Sequence, residues 1–568
     1  MSLLLVIGIV SAILGLAYWL YGGLLSHLFK LDPDVKTPAV TLCDDVDYVP
    51  IPPNLLFGQH FSAIAAAGPI VGPIVAGVAF GWGPALAWII IGSIFIGGVH
   101  DFGSLVASIR HKACSITEVV RLHMTRRAYL LFLGFIWITL VYVIVAFTDV
   151  TAQSFIGKVT LEDGSIVSGA GIATSSLLYL ALPIFMGVLM RYAKLTVGWA
   201  TLIFLPLVGV AIWAGQKIPF DLGAILHISD AYALKVWDLV LLAYCGLAGV
   251  VPMWMLLQPR GHLGGCFLYL ALVGAAAGLV IGGGTVQYPA FNGWTAANGD
   301  DLFPFLFITI ACGACSGFHA IVCSGTSSKQ LRREPDARIV GYGAMLLEAL
   351  VAAVSLACVM MLASNSPMIK KAPNFIYANG IGEFLSVFGI SKSFGISFGL
   401  LAFATFVYDT LDICTRLGRY IIQELTGWKG KSGKIVATTI MSITPLVILI
   451  PTATDAAGKV IPVWKAFWTL FGASNQLLAA LTLLGVTVWL VHQYHAKWIW
   501  AVMGIPTVIM YIMSFWALLA ITQAKLARAF WWKDPATWVA GVLILLAILM
   551  LVEAVKSIAN IRRAPAKA

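Results

Sequence analysis

Phe57 to Val78 reads FGQHFSAIAAAGPIVGPIVAGV, an apolar stretch long enough to cross a bilayer that carries Pro69 and Pro73 among glycines. Each proline removes a backbone donor, so an uninterrupted helix is excluded and an unwound patch near mid-membrane is expected. Irregular backbone at that depth survives only where it is buried in protein or lines a cavity, and half-helix ends with free N–H and C=O groups bind substrates or ions there. A plain packing kink is the competing reading.

The rest of the chain supplies the membrane. Of 568 residues 60% are hydrophobic and 11% charged, against about 25% charged in an ordinary globular protein. Fifteen apolar spans are expected, at 2–28, 57–80, 84–108, 128–156, 173–191, 195–216, 236–257, 262–284, 302–328, 338–364, 393–418, 434–451, 463–491, 498–522 and 535–558. The predicted fold is all-α and polytopic, one transmembrane domain over 1–568, with no stretch between spans long enough for a soluble domain. The first run lacks a positive n-region and is too long for a signal peptide, so it reads as a retained helix.

The net charge of +10 does not point to nucleic acid, because the basic residues sit in short tracts between apolar runs, as topogenic charges do. Tracts 109–127, 191–194, 329–338, 416–434 and the C-terminal tail are rich in Lys and Arg and are expected on the cytoplasmic side. That places the N-terminus outside and the acidic segment 30–56 inside, although loops 365–392 and 523–534 carry more positive charge than an outside loop should. Nine scattered cysteines, including Cys312 and Cys315, lack the paired spacing of a disulfide or metal framework and read as small buried side chains.

A second interruption is expected at Tyr244 to Arg260, YCGLAGVVPMWMLLQPR, where Gly246, Gly249 and Pro252 coincide. It lies five spans after the first and runs the opposite way, the pattern of a five-plus-five inverted repeat with halves 57–216 and 236–418 and binding at their interface. In Ala311 to Arg333 the hydroxyls of Ser316, Ser324 and Thr326 either line a cation site or bond neighbouring helices. Consecutive Ser474, Asn475 and Gln476 are expected to bond neighbouring helices, since unsatisfied amides in an apolar span are costly.

Ionisable groups in spans mark pathways or proton relays. The candidates are His60, His100, Asp101, Asp149, Asp238, His319, Glu348, Asp409 and Asp412. His100 and Asp101 fall near an inner end and Asp149 and Asp238 near outer ends, where interfacial solvation or a helix-packing hydrogen bond accounts for them. Asp412 is placed to pair with Arg416 at i,i+4; Asp409 is left without a local partner. His60, His319 and Asp409 are therefore the expected proton-coupling residues.

The blocks FGQHFSAIAAAGPIVGPIVA, VPMWMLLQPRGHL, ITIACGACSGFHAIVCSGTSSKQL, GYGAMLLEALVA and FGASNQLLAALTLL resemble the signature blocks of the carbon starvation protein A family, over residues 57 to about 484. The resemblance implies a bacterial inner-membrane transporter that takes up peptides or pyruvate by proton symport during nutrient limitation.

The combined expectation is a LeuT-type core over 57–418, preceded by the helix 2–28 and followed by helices over 434–558, working by alternating access. Gly68, Pro69, Gly72 and Pro73 would join Gly246, Gly249 and Pro252 in one central site whose half-helix N-termini receive a substrate carboxylate. No cofactor or metal is expected, and no HExxH or nucleophile–base cluster suggests an enzyme. A sodium-coupled amino-acid or carboxylate symporter, with Ser316, Ser324 and Thr326 holding the cation, and a channel or nutrient sensor are the alternatives.

Overall fold

The computed structural model of the chain describes residues 2–563 apart from 45–47, 66, 161–165, 253, 455–459 and 528–530. Among the described residues thirteen helices are long and apolar enough to cross a membrane, and a bent helix pair makes fourteen. In chain order they are α1 (Leu3–Leu28), the bent α2 (α2a, Pro53–Ile64, and α2b, Gly68–Phe80), α3 (Trp82–Arg110), α4 (Arg126–Ile156), α5 (Gly169–Tyr192), α6 (Val197–Lys217), α7 (Asp230–Val250) and α8 (Leu257–Gly282). The ninth expected span is split into α9a (Leu302–Thr309) and α9b (Gly317–Gly325). Then follow α10 (Glu334–Met360), α11 (Lys392–Thr426), α12 (Gly430–Leu449), α13 (Val463–Tyr494), α14 (Trp500–Leu526) and α15 (Ala536–Ala559). The described strands form two short hairpins that serve as connectors.

Local signals set several helix starts. Thr125 and Ser391 cap α4 and α11 by accepting the backbone N–H of Ala128 and Phe394, satisfying donors that the first turn leaves free. The central windows of α11 and α13 are almost wholly buried, whereas α1, α6, α12 and α15 turn most of theirs outward. The core is thus built around α11, α13 and the two broken helices.

The first interrupted span is broken as expected, but just before the prolines rather than at them: α2a ends at Ile64 and α2b, which contains Pro69 in its first turn and Pro73 in its interior, starts at Gly68 with a bend of 48°. The second break does not lie where the sequence places it. α7 runs continuously through Gly246 and Gly249, and Pro252 falls after its last turn. Gly246 faces Ser442 and Gly249 faces Thr438 and Thr415, so these glycines admit close packing of α12 and α11 rather than unwinding. The second break is Ile310–Ser316, between α9a and α9b, and it packs directly on the first. A side-chain carbon at Gly68 would collide with Cys312, and one at Gly72 with the carbonyl of Thr309.

The span after each break packs on the other broken helix: α3 on α9b, and α10 on α2b. Each also contains a π-helical turn, Ser93–Gly97 in α3 and Arg338–Gly343 in α10, a widening that recurs at functional sites.

The basic tracts share one end of the bundle. Arg110 pairs with Glu334 at 2.8 Å, Tyr129 bonds Glu424, Arg191 stacks on Trp254 at 4.3 Å, and Thr125 bonds Glu553. Segment 30–56 joins them through Val49 N to Lys329 O, 3.2 Å. Leu3 N instead bonds Gly284 O, which puts the start of α1 at the opposite end, as the charge pattern requires. The tail beyond 563 lies outside the described residues.

The contact between the breaks is a firm test of this packing. Gly72→Ala would press a methyl onto the Thr309 carbonyl and lower thermal stability of the purified protein, on the order of 1–3 kcal/mol. Gly8→Ala, whose methyl meets nothing within 4 Å, leaves it unchanged. Equal melting temperatures for the two variants would disprove the close approach.

Candidate transport site

A shallow vestibule opens at the end that carries the basic tracts and extends along α2a. Its outer part, partly open to solvent, is lined by Val49, Lys329, Arg416 and Tyr420 among others. Its inner part is lined by Gln59, His60, Ala63, Gly261, Ser327 and Asp409. Leu257, Thr326, Gln330 and Ile413 line both parts. The walls are therefore α2a, α8, α11 and the segment following α9b.

Behind the inner end lies a buried charge cluster. Arg260, in the first turn of α8, is fully buried. Its Nε donates to Asp409 Oδ1 at 2.8 Å, and its Nη2 donates to the Tyr408 carbonyl at 2.7 Å and lies 2.6 Å from Asp412 Oδ2. Nη1 bonds the Tyr244 hydroxyl, which itself donates to Asp412 Oδ2 at 3.0 Å. Ser62, two residues beyond His60 on α2a, donates to Asp409 Oδ2 at 2.9 Å. A planar guanidinium with several directed donors suits this geometry, where a lysine would make one point contact. The cluster holds two carboxylates against one guanidinium.

The expected pairing of Asp412 with Arg416 is corrected by this arrangement. Arg416 Nη2 donates to the carbonyls of Ala248 and Val251 at 2.9 and 2.8 Å, and Lys434 reaches Val250 O at 2.7 Å. The two cations close the last turn of α7, where orphan carbonyls and the helix dipole favour positive charge. Asp409, which has no partner within its helix, finds one across the bundle in Arg260. Arg260 escapes a sequence reading because it stands beside Pro259 at the edge of a span, where a basic residue looks topogenic. The unexplained Asp409 was the available signal that a buried cation existed somewhere.

The predicted histidines separate. His60 reaches the vestibule and bonds Ser327 Oγ through Nδ1 at 2.7 Å. His319 is fully buried on α9b with Nδ1 2.8 Å from Asp101 Oδ2, and His100 Nδ1 lies 2.7 Å from Asp101 Oδ1. Interfacial solvation therefore does not account for His100 and Asp101, which are also fully buried. Nor does it for Asp149, buried and accepting Trp464 N at 2.8 Å, or for Asp238, which is 1% exposed.

The hydroxyls proposed for a cation are not brought together. Ser316 and Ser324 stand at opposite ends of α9b, roughly 12 Å apart along the axis at 1.5 Å per residue, too far to share one ion. Ser316 bonds Asn475, Ser324 donates to Ala320 O at 2.7 Å, and Thr326 donates to Val322 O at 2.9 Å. Asn475 and Gln476 do bond neighbouring segments: Asn475 accepts Phe318 N at 3.0 Å and donates to Ser316 Oγ at 3.0 Å, and Gln476 donates to Phe307 O. The α9b N-terminus is thereby capped by protein, and Gly68–Pro73 is fully packed, so neither half-helix N-terminus faces the vestibule. Among the described residues no group of three or more His, Cys, Asp or Glu is arranged to hold a metal ion.

The family described as Carbon starvation protein CstA matches residues 1–374 and 364–517. The chain belongs to the carbon starvation protein CstA family. The pyruvate/proton symporter BtsT of Escherichia coli is 31% identical over 86% of this chain and 77% of its own. The peptide transporter CstA of Campylobacter jejuni is 31% identical over 88% and 78%, and that of Bacillus subtilis 30% over 84% and 83%. Among solved structures, the Eremococcus coleocola manganese transporter aligns with 92% of this chain and 99% of its own at a TM-score of 0.45 and 14% identity. MhsT in complex with L-phenylalanine aligns over 87% and 98% at 0.43 and 11%. This member of the CstA family is a multi-pass membrane transporter, and its relatives are named as transporters rather than enzymes.

The Arg260 cluster makes a thermodynamic prediction. Arg260→Met strands two buried carboxylates and costs about 3–5 kcal/mol. Adding Asp409→Asn and Asp412→Asn removes the stranded charge and restores much of the loss. Melting temperatures in detergent decide this, and a triple variant no more stable than Arg260→Met would show that the three residues are not one electrostatic unit.

Proposed function

We propose that this chain imports small carboxylate-bearing nutrients, peptides or pyruvate, by proton symport across a bacterial cytoplasmic membrane when carbon is scarce. The observation that carries the reading is the position of Asp409: it lines the inner vestibule while holding one arm of the fully buried Arg260. The guanidinium can exchange that carboxylate for the substrate's own. Protonation of Asp409 weakens its hold on Arg260, and the freed N–H donors receive the incoming carboxylate, so proton and anion enter together without stranding a charge. His60, facing the same space and bonded to Ser327 Oγ, is the natural route for the proton. The names of the relatives, peptide transporter and pyruvate/proton symporter, support both the substrate class and the coupling ion.

Alternating access fits the two breaks. Counting each described span as one crossing, α2 and α9 are antiparallel. They meet at their non-helical segments, and each is braced by the span that follows the other. We take them as the equivalent broken helices of an inverted repeat, whose second half begins at α9 rather than at α7. The positive-inside pattern makes the open vestibule cytoplasmic.

Proteoliposomes test the reading with labelled pyruvate and a labelled dipeptide under imposed proton or sodium gradients. An inward proton gradient should drive accumulation of at least one of them, and substrate affinity should rise as pH falls. In Asp409→Asn the pH dependence of affinity flattens and accumulation is lost, while exchange persists at a reduced rate; His60→Gln slows proton-driven uptake, and His319→Gln impairs its coupling. Accumulation driven by sodium alone would overturn the proton assignment, and flux insensitive to either gradient would indicate a channel.

A further inference from the structure

The group around His319 lies apart from the vestibule and is not used by the exchange at Arg260. His100 and Asp101 come from α3, His319 from α9b and Glu348 from α10, and all four are fully buried. These are the second half of one broken helix and the two spans that follow the breaks. Asp101 sits between two rings, 2.7 Å from His100 Nδ1 and 2.8 Å from His319 Nδ1. The far side of His319 faces Glu348, Nε2 to Oε2 at 3.3 Å, and neither Glu348 oxygen has a hydrogen-bond partner. The remaining titratable groups around the cluster are Cys312, Cys315 and Cys323 of the α9 segment and, beyond Cys323, His60.

Counting protons shows what this arrangement requires. Asp101 as a carboxylate accepts an N–H from each ring, which fixes the hydrogen of His319 on Nδ1 and leaves a lone pair on Nε2. That lone pair then faces a carboxyl oxygen. With Glu348 ionised, two acceptors oppose each other and an unpaired carboxylate sits in a dry interior, which is strongly unfavourable. One proton on Glu348 removes both penalties, since the O–H then donates to Nε2.

We propose that the Glu348–His319 pair is a second proton-binding site of the transporter, loaded in the closed arrangement seen here and emptied only when water reaches it. Asp101 is the positioning residue that sets the ring tautomer, with His100 holding Asp101 from the other side. Loading forms one O–H bond on Glu348; release returns that proton to water and leaves a carboxylate that must be hydrated. Release therefore requires α9b to part from α10, which ties the protonation state to the movement of a broken helix. Cys323, one turn after His319, separates the cluster from the vestibule: its Sγ lies 3.5 Å from the Asp101 carbonyl and 4.0 Å from His60 Nε2.

This inference rests on the proton-symport reading, and the experiment separates the two. Transport stoichiometry is read in proteoliposomes as the proton gradient that just balances an opposing substrate gradient. If the unaltered protein shows no proton-driven accumulation, the symport reading itself fails. If it does, Glu348→Gln, whose amide imitates the protonated acid, should carry one proton fewer per substrate and transport more slowly. His319→Gln should show the same loss of stoichiometry, which a merely structural role would not produce. Unchanged stoichiometry in a folded Glu348→Gln protein would overturn the proposal. A second reading serves if the Glu348 and His319 variants do not fold. The infrared difference spectrum of the unaltered protein on substrate addition, with opening of the site to water, should show loss of a protonated buried carboxyl band, separate from the band that Asp409 gains on protonation and identified by its persistence in Asp409→Asn. Absence of that band in Asp409→Asn would also overturn it.

Discussion

The core of this transporter depends on how an interrupted stretch of chain, with only part of its helical hydrogen bonding, is satisfied where no water can do it. Ile310–Ser316 lies between two short helices in the middle of the bundle, and each unpaired backbone group there would cost several kcal/mol. The hydrogen-bond partners come from α13, and α2 supplies close packing. Asn475 caps the start of α9b and Gln476 takes the carbonyl of Phe307, while Gly68 and Gly72 let α2b lie against Cys312 and Thr309. Each break is thus completed by the other's surroundings. That arrangement holds the two interrupted helices side by side and positions α3 and α10 against them.

The same rule governs charge. Arg260 is tolerable in the interior because two aspartates and a tyrosine surround it, and Asp101 because two imidazoles do. Replacing such groups by apolar side chains of similar volume is often neutral or favourable for stability, so their presence calls for a reason other than stability. Both clusters draw members from different spans: Arg260 from α8 and its aspartates from α11, Asp101 from α3 and His319 from α9b. A relative movement of those spans must break or remake ion pairs, and gaining or losing a proton is the least costly way to do so. One cluster borders the vestibule and the other is closed to it, as the proposed substrate-facing and internal proton sites require.

The spans and their order were legible in the residues. Hydropathy locates the long helices because the bilayer demands about twenty apolar residues each time, and the basic tracts at 109–127, 191–194, 329–338 and 416–434 gather at one end as topogenic charges should. Pro69, in the first turn of α2b, announces the first break because proline acts on its own helix, whereas Pro73 is accommodated within α2b. Asn475 and Gln476 were legible for a related reason: an amide in an apolar span must bond something.

Tertiary structure alone decided which second helix is broken and which charges meet. Gly246, Gly249 and Pro252 look like an interruption, yet glycine has two uses in a membrane helix, and only the neighbour across the interface, Thr438 or Ser442 on α12, shows that these serve close packing. Residues 310–316 contain no proline, and their unwinding depends on Asn475 and Gln476, more than 150 positions away. Asp409 could be recognised as a buried acid from its own helix, but Arg260 lies 149 residues before it. Periodicity and spacing describe what one segment does to itself; the identity of a partner in a buried ion pair is fixed only when the bundle closes.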